Sequence, residues 1–300
     1  MSVLDQLTRL PGSYQGPDRL QTMPIGLLGL GEASLAARIC EDFAQATLTR
    51  SGTQIVLNSP ETQAAADDFA ALAEVNGVNV LRVGAGEGRR FDLDTLAYLA
   101  PGGVLSTYHL AQYLAHATGH GEEARQAETL LSELRDRCAP EVEEGNPARA
   151  LAWSLWGRSP LLLAPVGEGA LTQAWQGLLA RVGKVLSIAV EHQPLYTLTG
   201  AFEAHHERGD GRLALILGEE DAEMRLCREV LETRIDEVAL VGYPSGAEGG
   251  GYAGTLALWY FGAWVAAYLS EREGANPEDS PALTQVLATL MSDVPDDELN

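Results

Sequence analysis

Residues 24–36 read PIGLLGLGEASLA, a short apolar run that ends in glycines and leads into a helix-forming segment. Residues 161–172, LLLAPVGEGALT, repeat this order, and GEASLA at 31–36 aligns with GEGALT at 167–172 at an offset of 136. An apolar strand, a glycine turn and a helix form the basic unit of a parallel sheet. Its recurrence predicts an internal duplication of the chain.

Further strands and helices follow each copy of this unit in the same order. The predicted strands are 53–57 and 78–83 after the first copy and 213–217 and 238–241 after the second, and the predicted helices between them are 61–75 and 221–231. Strands that alternate with helices favour a parallel sheet covered on both faces. We therefore predict an α/β protein of two doubly wound parallel-sheet domains, each with three αβα layers, and extra helices at both termini.

The two predicted domains meet at an acidic segment. Residues 138–147, CAPEVEEGNP, contain two prolines and are typical of a linker. We place the first domain at 1–140 and the second at 141–300. Each has the size of an ordinary single domain.

One segment distinguishes the second copy. Gly31 to Gly52 is 21 residues, whereas Gly167 to Gly211 is 44, and the extra 23 residues fall in 181–207, RVGKVLSIAVEHQPLYTLTGAFEAHHE. Loops tolerate insertions at little entropic cost, so this segment could simply pack between the domains. Its high content of titratable residues, including three of the six histidines, equally favours a functional role.

The composition excludes several classes of partner. A net charge of −22 repels the phosphates of nucleic acids and anionic membranes. The three cysteines are far apart and indicate neither a disulfide framework nor a zinc site. Residues 1–16 lack the apolar region of a signal peptide, and the longest uncharged apolar run, 255–269, is shorter than the ~18–20 residues of a membrane span. We expect a soluble cytoplasmic protein.

The first glycine turn is a candidate anion site. Gly29-x-Gly31-x-x-Ser34 lies between a strand and a helix, where backbone N–H groups can approach an anion. A nicotinamide dinucleotide also needs an acidic residue at the end of the second strand, and Asn58 stands there instead. This absence disfavours a dinucleotide and leaves a phosphate ester as the better ligand.

Hydroxyl groups at the same level of the sheet support a phosphate site. Ser34, Ser59 and Thr62 all lie where predicted strands meet helix N-termini. Ligands of doubly wound sheets bind at this edge. The alternative is that Ser34 and Ser59 only cap their helices, the usual role of serine at such positions.

The pair Glu203-x-x-His206 is a candidate catalytic pair. In a helix the two side chains would share one face, and a carboxylate with an imidazole can supply a base and an acid near neutral pH. Two alternatives remain open: an exposed polar turn, or a zinc site that includes His205. The HExxH spacing of zinc enzymes is absent, which disfavours the metal.

The order of the elements and four segments resemble the bifunctional phosphoglucose/phosphomannose isomerases, which are built from two sugar-isomerase (SIS) domains. The segments are NPAR at 146–149, ARVGK at 180–184, Glu203-x-x-His206, and LSEREGANP at 269–277. The resemblance spans nearly the whole chain. It implies two SIS domains and a homodimer whose active site lies between the domains and is shared by both subunits.

The resemblance also implies a reaction and its residues. Members of this family convert aldose 6-phosphates into ketose 6-phosphates through a cis-enediol, without metal or nucleotide cofactor. It implies that His206 opens the sugar ring, that Glu191 or Glu203 is the base, and that Arg181 offsets charge on the enediolate. The implied substrate- and phosphate-binding residues are Gly29, Gly31, Ser34, Asn58, Ser59 and Thr62.

Three segments depart from the family pattern. The base-carrying segment reads LSIAVE at 186–191, the C-terminal lysine is replaced within ATL at 288–290, and the arginine motif of the first domain reads PGG at 101–103, with His109 as the nearest basic residue. A missing base removes a proton-transfer contribution of roughly 10²–10⁴ in rate. A non-catalytic phosphosugar-binding or regulatory protein is therefore the alternative to an isomerase of glucose 6-phosphate and mannose 6-phosphate.

Overall fold

A computed structural model describes residues 2–88, 91, 93–103, 105–191, 193–203, 211–247, 249–277, 281–282, 285–286 and 289. The strands are β1 Ile25–Gly29, β2 Thr53–Asn58, β3 Asn79–Ala85, β4 Leu96–Ala100, β5 Leu161–Leu163, β6 Ile188–Ala189, β7 Leu213–Leu217 and β8 Glu237–Val241. The helices are α1 Val3–Arg9, α2 Ser34–Ile39, α3 Gln63–Val75, α4 Ser106–Thr118, α5 Gly121–Cys138, α6 Pro147–Leu155, α7 Gly169–Arg181, α8 Pro194–Ala201, α9 Ala222–Glu232 and α10 Gly251–Glu273.

The strands of the described residues form two parallel sheets that share one plan. Their orders are β1-β2-β3-β4 and β6-β5-β7-β8. β1, β2 and β3 correspond to β5, β7 and β8, with parallel pairing throughout. In the first sheet Ala46 makes an isolated parallel bridge to Gly26 of β1, at the position that β6 holds beside β5. The predicted duplicated α/β fold is therefore confirmed.

One helix is shorter than the sequence indicates, and two strands are not predicted. The helix-forming segment after the first glycine turn gives only the short helix α2, because the chain turns through a 3₁₀ segment at Glu41–Phe43 and brings Ala46 beside β1. The sequence predicts neither β4 nor β6. β6 has only two residues and its Ile188 is exposed, so it leaves no apolar run in the sequence.

A buried helix connects the two halves of the chain. α10 contains the apolar run 255–269 and packs against α1, α5, α6 and α7, so it contacts both halves of the chain. Trp259, Tyr260, Trp264 and Tyr268 are all fully buried in it. A helix that is apolar all round belongs in a core. No helix of the described residues combines the length and the apolarity needed to cross a membrane.

The predicted linker is an ordered connection between α5 and α6. Asn146 is only 3% exposed, and its side-chain amide donates to the carbonyl oxygen of Cys138 at 3.0 Å while its oxygen accepts from the backbone N–H of Arg149 at 3.0 Å. One side chain thus ties the end of α5 to the start of α6. The boundary at 140/141 falls within this connection and stays a prediction.

Candidate active site

The carboxyl ends of the first four strands open into a cleft. Parallel strands end at the same edge of a sheet, so the turns after β1, β2, β3 and β4 lie side by side there. Two adjoining cavities, of about 400 and 250 Å³, occupy this edge and share Glu32, Gly103, Ser106 and Arg181. We call them together the strand-end cleft. Its other lining residues include Gly31, Ser34, Ser59, Pro60, Glu61, Ala85, Gly86, Glu87, Gly102, Gln173 and Gly177.

The first turn fits closely against the second because of its glycines. Gly31 has a φ of +59°, and a Cβ on it would lie 2.7 Å from the hydroxyl oxygen of Ser59. A Cβ on Gly29 would lie 2.6 Å from the Cα of Ser34, so this glycine lets β1 approach α2. The two predicted glycines therefore shape the cleft through backbone conformation and close packing.

The second turn carries the predicted hydroxyl groups. Ser59 is buried, and its hydroxyl donates to the carboxylate of Glu61. The hydroxyl of Thr62 donates to the backbone oxygen of Ser59 at 3.1 Å. Asn58 is fully buried, its amide nitrogen donates to the same oxygen at 3.2 Å, and its own side-chain oxygen has no partner among the described residues. Thr62 and Asn58 thus hold the backbone of Ser59, and Glu61 holds its side chain.

Helix capping does not explain the two serines. Ser34 is the first residue of α2 and not its N-cap, and Ser59 precedes a 3₁₀ turn at Pro60–Thr62. Within the described part of the chain, neither hydroxyl accepts a capping hydrogen bond from a helix N–H. Both residues instead line the strand-end cleft.

Arg181 brings the second half of the chain into this cleft. It is the last residue of α7, and its guanidinium forms an ion pair with the carboxylate of Glu32 in the first turn. The side chain is 34% exposed, and its Nε is buried without a partner in the described residues. Burial lowers the pKa of Arg181, but arginine stays charged at neutral pH. A fixed positive charge therefore lies between the two domains.

The cleft is otherwise acidic. Among its described lining residues, the carboxylates of Glu32, Glu61 and Glu87 face a single guanidinium, that of Arg181. His109 adds no positive charge, although it is the basic residue nearest to the missing arginine motif. It is 8% exposed, and burial lowers its pKa to about 4, so the ring is neutral at pH 7.

The predicted carboxylate bases lie elsewhere in the chain. Glu191 is exposed beyond β6 and accepts a hydrogen bond from the hydroxyl of Thr172, in the first turn of α7, at 3.3 Å. Glu203 follows α8 and lines a separate cavity between α8 and α9. Neither lines the strand-end cleft. His205 and His206 lie outside the described residues, so the roles assigned to these four residues stay predictions.

Sequence reasoning misses other residues of the cleft. Ser106, 8% exposed at the start of α4, lines both cavities beside Gly103. The apolar segment LAYLA followed by Pro101-Gly102-Gly103 could have indicated β4 and this turn. The described residues contain no group of three or more His, Cys, Asp or Glu that could hold a metal ion.

Known families match both halves of the chain. The phosphoglucose isomerase N-terminal domain matches residues 3–119, and the bacterial phospho-glucose isomerase C-terminal SIS domain matches residues 144–289. The chain belongs to the phosphoglucose isomerase family. The second of these families is a SIS domain, the domain type that the resemblance implied.

Solved structures agree with this family. A glucose-6-phosphate isomerase like protein from Thermus thermophilus is 30% identical, with a TM-score of 0.79 over 95% of this chain and 94% of its own. Tagatose-6-phosphate ketose/aldose isomerase from Escherichia coli is 13% identical, with a TM-score of 0.55 over 87% and 85% of the two chains. The second likeness concerns the fold alone. Among curated protein sequences, none is significantly similar to this chain.

Proposed function

We propose that this protein is a phosphosugar aldose–ketose isomerase that interconverts glucose 6-phosphate or mannose 6-phosphate with fructose 6-phosphate through a cis-enediol. The observation that carries the proposal is the position of Arg181. In a chain of the phosphoglucose isomerase family, this guanidinium enters from the second domain into a cleft at the strand ends of the first. The position suits the stabilisation of an anionic intermediate between the domains.

The turns of the first domain would bind the phosphate, and Arg181 of the second domain would stabilise the enediolate. The hydroxyls of Ser59 and Ser34 and the backbone of the Gly31 turn would bind the phosphate of the substrate. Thr62 lines neither cavity and would position Ser59 through its hydrogen bond to the backbone oxygen. Deprotonation next to the carbonyl group places negative charge on the enediolate oxygens. A preorganised guanidinium in a partly dry site stabilises such charge far better than water does. Arg181 is suited to this role.

The acid and base would come from the insertion in a homodimer. The proposed shared active site would bring Glu203 and His206 of one subunit to the strand-end cleft of the other. This arrangement accounts for the position of Glu203 outside its own subunit's cleft. Glu191, at the edge of the second sheet, is the alternative base. No metal or nucleotide cofactor takes part in this proposal.

Two observations favour a second candidate, a phosphosugar-binding protein without catalysis. Glu191 is the only carboxylate in the segment 186–191, and it is exposed at the edge of the second sheet. Residues 288–290 also lack the lysine of the family. Such a protein would bind a phosphosugar in the cleft without converting it.

One set of measurements separates the candidates. The purified protein is incubated with glucose 6-phosphate or mannose 6-phosphate in the presence of a chelator, and fructose 6-phosphate is quantified. Turnover supports the isomerase. A rise in melting temperature with the sugar phosphates but no turnover selects the binding protein, and neither effect in a folded sample rejects both. Light scattering of the same sample tests the dimer.

A further inference from the structure

The chain's own carboxylates occupy two donors of the strand-end cleft. The hydroxyl of Ser59 donates to Glu61, and the guanidinium of Arg181 pairs with Glu32. These are the groups that the proposed function gives to the phosphate and to the enediolate. Two glutamates therefore occupy the positions at which a bound sugar phosphate would place its own negative charges.

The position of Glu61 makes this competition steric as well as electrostatic. A Cβ on Gly31 would lie 3.0 Å from a carboxylate oxygen of Glu61 and 2.7 Å from the hydroxyl oxygen of Ser59. The carboxylate of Glu61 thus lies against the first turn, although the residue is exposed. A phosphate that contacts both turns would need the same space.

Charge opposes phosphate binding further. A phosphate monoester carries close to two negative charges at neutral pH. Like charges a few ångströms apart repel each other more strongly in a partly buried site than in water. Three glutamates and one arginine line the cleft in its described part. A phosphate that takes the hydroxyl of Ser59 therefore competes with Glu61, and an enediolate near Arg181 shares its charge with Glu32.

We propose that Glu61 and Glu32 are specificity-determining residues that weaken the affinity of the strand-end cleft for phosphate dianions. The inference rests on the proposed function, because it takes this cleft as the phosphosugar site. Each glutamate competes with the ligand for one donor: Glu61 for the hydroxyl of Ser59 and Glu32 for the guanidinium of Arg181. Removing either charge should therefore strengthen phosphosugar binding.

Calorimetric titration with fructose 6-phosphate tests the proposal. We expect Glu61→Gln and Glu32→Gln each to bind about tenfold more tightly than the native chain, since each loses one like charge close to the ligand. Glu74→Gln, on the exposed face of α3, changes the net charge equally and should leave the affinity unchanged. Affinities of Glu61→Gln and Glu32→Gln that equal that of Glu74→Gln would overturn the proposal.

Isomerase assays on the same samples separate this inference from the proposed function. Turnover by the native chain with unchanged affinity in both cleft variants rejects the inference alone. Tighter binding by Glu61→Gln in a chain without turnover supports the inference and rejects the isomerase. If neither the native chain nor any variant binds fructose 6-phosphate while all remain folded, both fail. Glu61→Ala should act in the same direction as Glu61→Gln, because the effect depends on the lost charge.

Discussion

The guanidinium of Arg181, at the end of α7, forms an ion pair with Glu32, in the turn that follows β1. The equivalent helices of the two halves, α2 and α7, pack against each other. Arg38 of α2 donates to the side-chain oxygen of Gln173 of α7 at 2.7 Å. The contact between the duplicated units therefore also forms a wall of the strand-end cleft.

Arg181→Gln should lower kcat roughly 10²-fold, because the enediolate loses a charged donor in a partly dry site. Initial-rate kinetics with glucose 6-phosphate measure the effect. Arg38→Gln is the matched control, since it removes a guanidinium from the same helix–helix contact and Arg38 does not itself line the cleft. Equal rates for the two variants would contradict the role given to Arg181.

Gly31→Ala should destabilise the chain more than Gly77→Ala. Both glycines have positive φ, +59° and +78°, so both alanines carry the strain of the left-handed region. A Cβ at Gly77 has nothing within 4 Å, whereas one at Gly31 would lie 2.7 Å from the hydroxyl oxygen of Ser59. We expect an additional loss of about 1–3 kcal/mol for Gly31→Ala. Urea unfolding of both variants measures it, and equal losses would show that the turn relaxes freely.

The buried His109 should make stability depend on pH. Its pKa is lowered to about 4 by burial, against about 6.5 in an unfolded chain. The unfolded state therefore binds more protons between these values, so stability is complete above about pH 6.5 and falls as the pH drops towards 4. The full loss amounts to roughly 3 kcal/mol. Urea unfolding from pH 7 to 4.5 should show a shallower fall for His109→Gln, and parallel curves would contradict the prediction.

Asn146→Ala should be strongly destabilising. The buried side chain donates to the carbonyl oxygens of Cys138 and Ala139 and accepts from the N–H of Arg149 as the cap of α6. Its loss removes these buried hydrogen bonds and leaves the N–H of Arg149 without its cap, although the two carbonyl oxygens keep the hydroxyl of Tyr268 and the N–H of Val142 as donors. We expect about 2–4 kcal/mol less free energy of unfolding. Asn76→Ala, which removes one exposed hydrogen bond to Leu72, should change it by less than about 1 kcal/mol. Similar losses for the two variants would contradict the ordered connection.

The sequence predicts those parts of the fold that depend on local burial. It predicts β7 at its observed residues, because all five of its side chains are buried and form a continuous apolar run. β6 carries no such signal, since its pairing with β5 is decided by the surrounding structure. The length of α2 likewise depends on the return of Ala46 to β1, a contact distant in sequence.

In the candidate site, the positions of some residues could likewise be predicted from the sequence, whereas the contacts between distant segments could not. Gly31 and Ser59 follow apolar strands directly, so the edge of a parallel sheet could be assigned to them from the sequence. The contact of Glu61 with Ser59 depends on how two turns meet, and that of Arg181 with Glu32 on how two domains pack. Neither relation has a counterpart in local sequence spacing.

Incubation of fructose 6-phosphate with the protein in deuterated water, followed by NMR, tests the central claim most directly. An enediol mechanism moves a proton between C1 and C2, and a base that exchanges with solvent introduces deuterium during this transfer. We predict that glucose 6-phosphate or mannose 6-phosphate forms with deuterium at C2, and that Arg181→Gln slows its formation. Unchanged fructose 6-phosphate without deuterium at C1, in the presence of folded protein, would contradict an isomerase at the strand-end cleft.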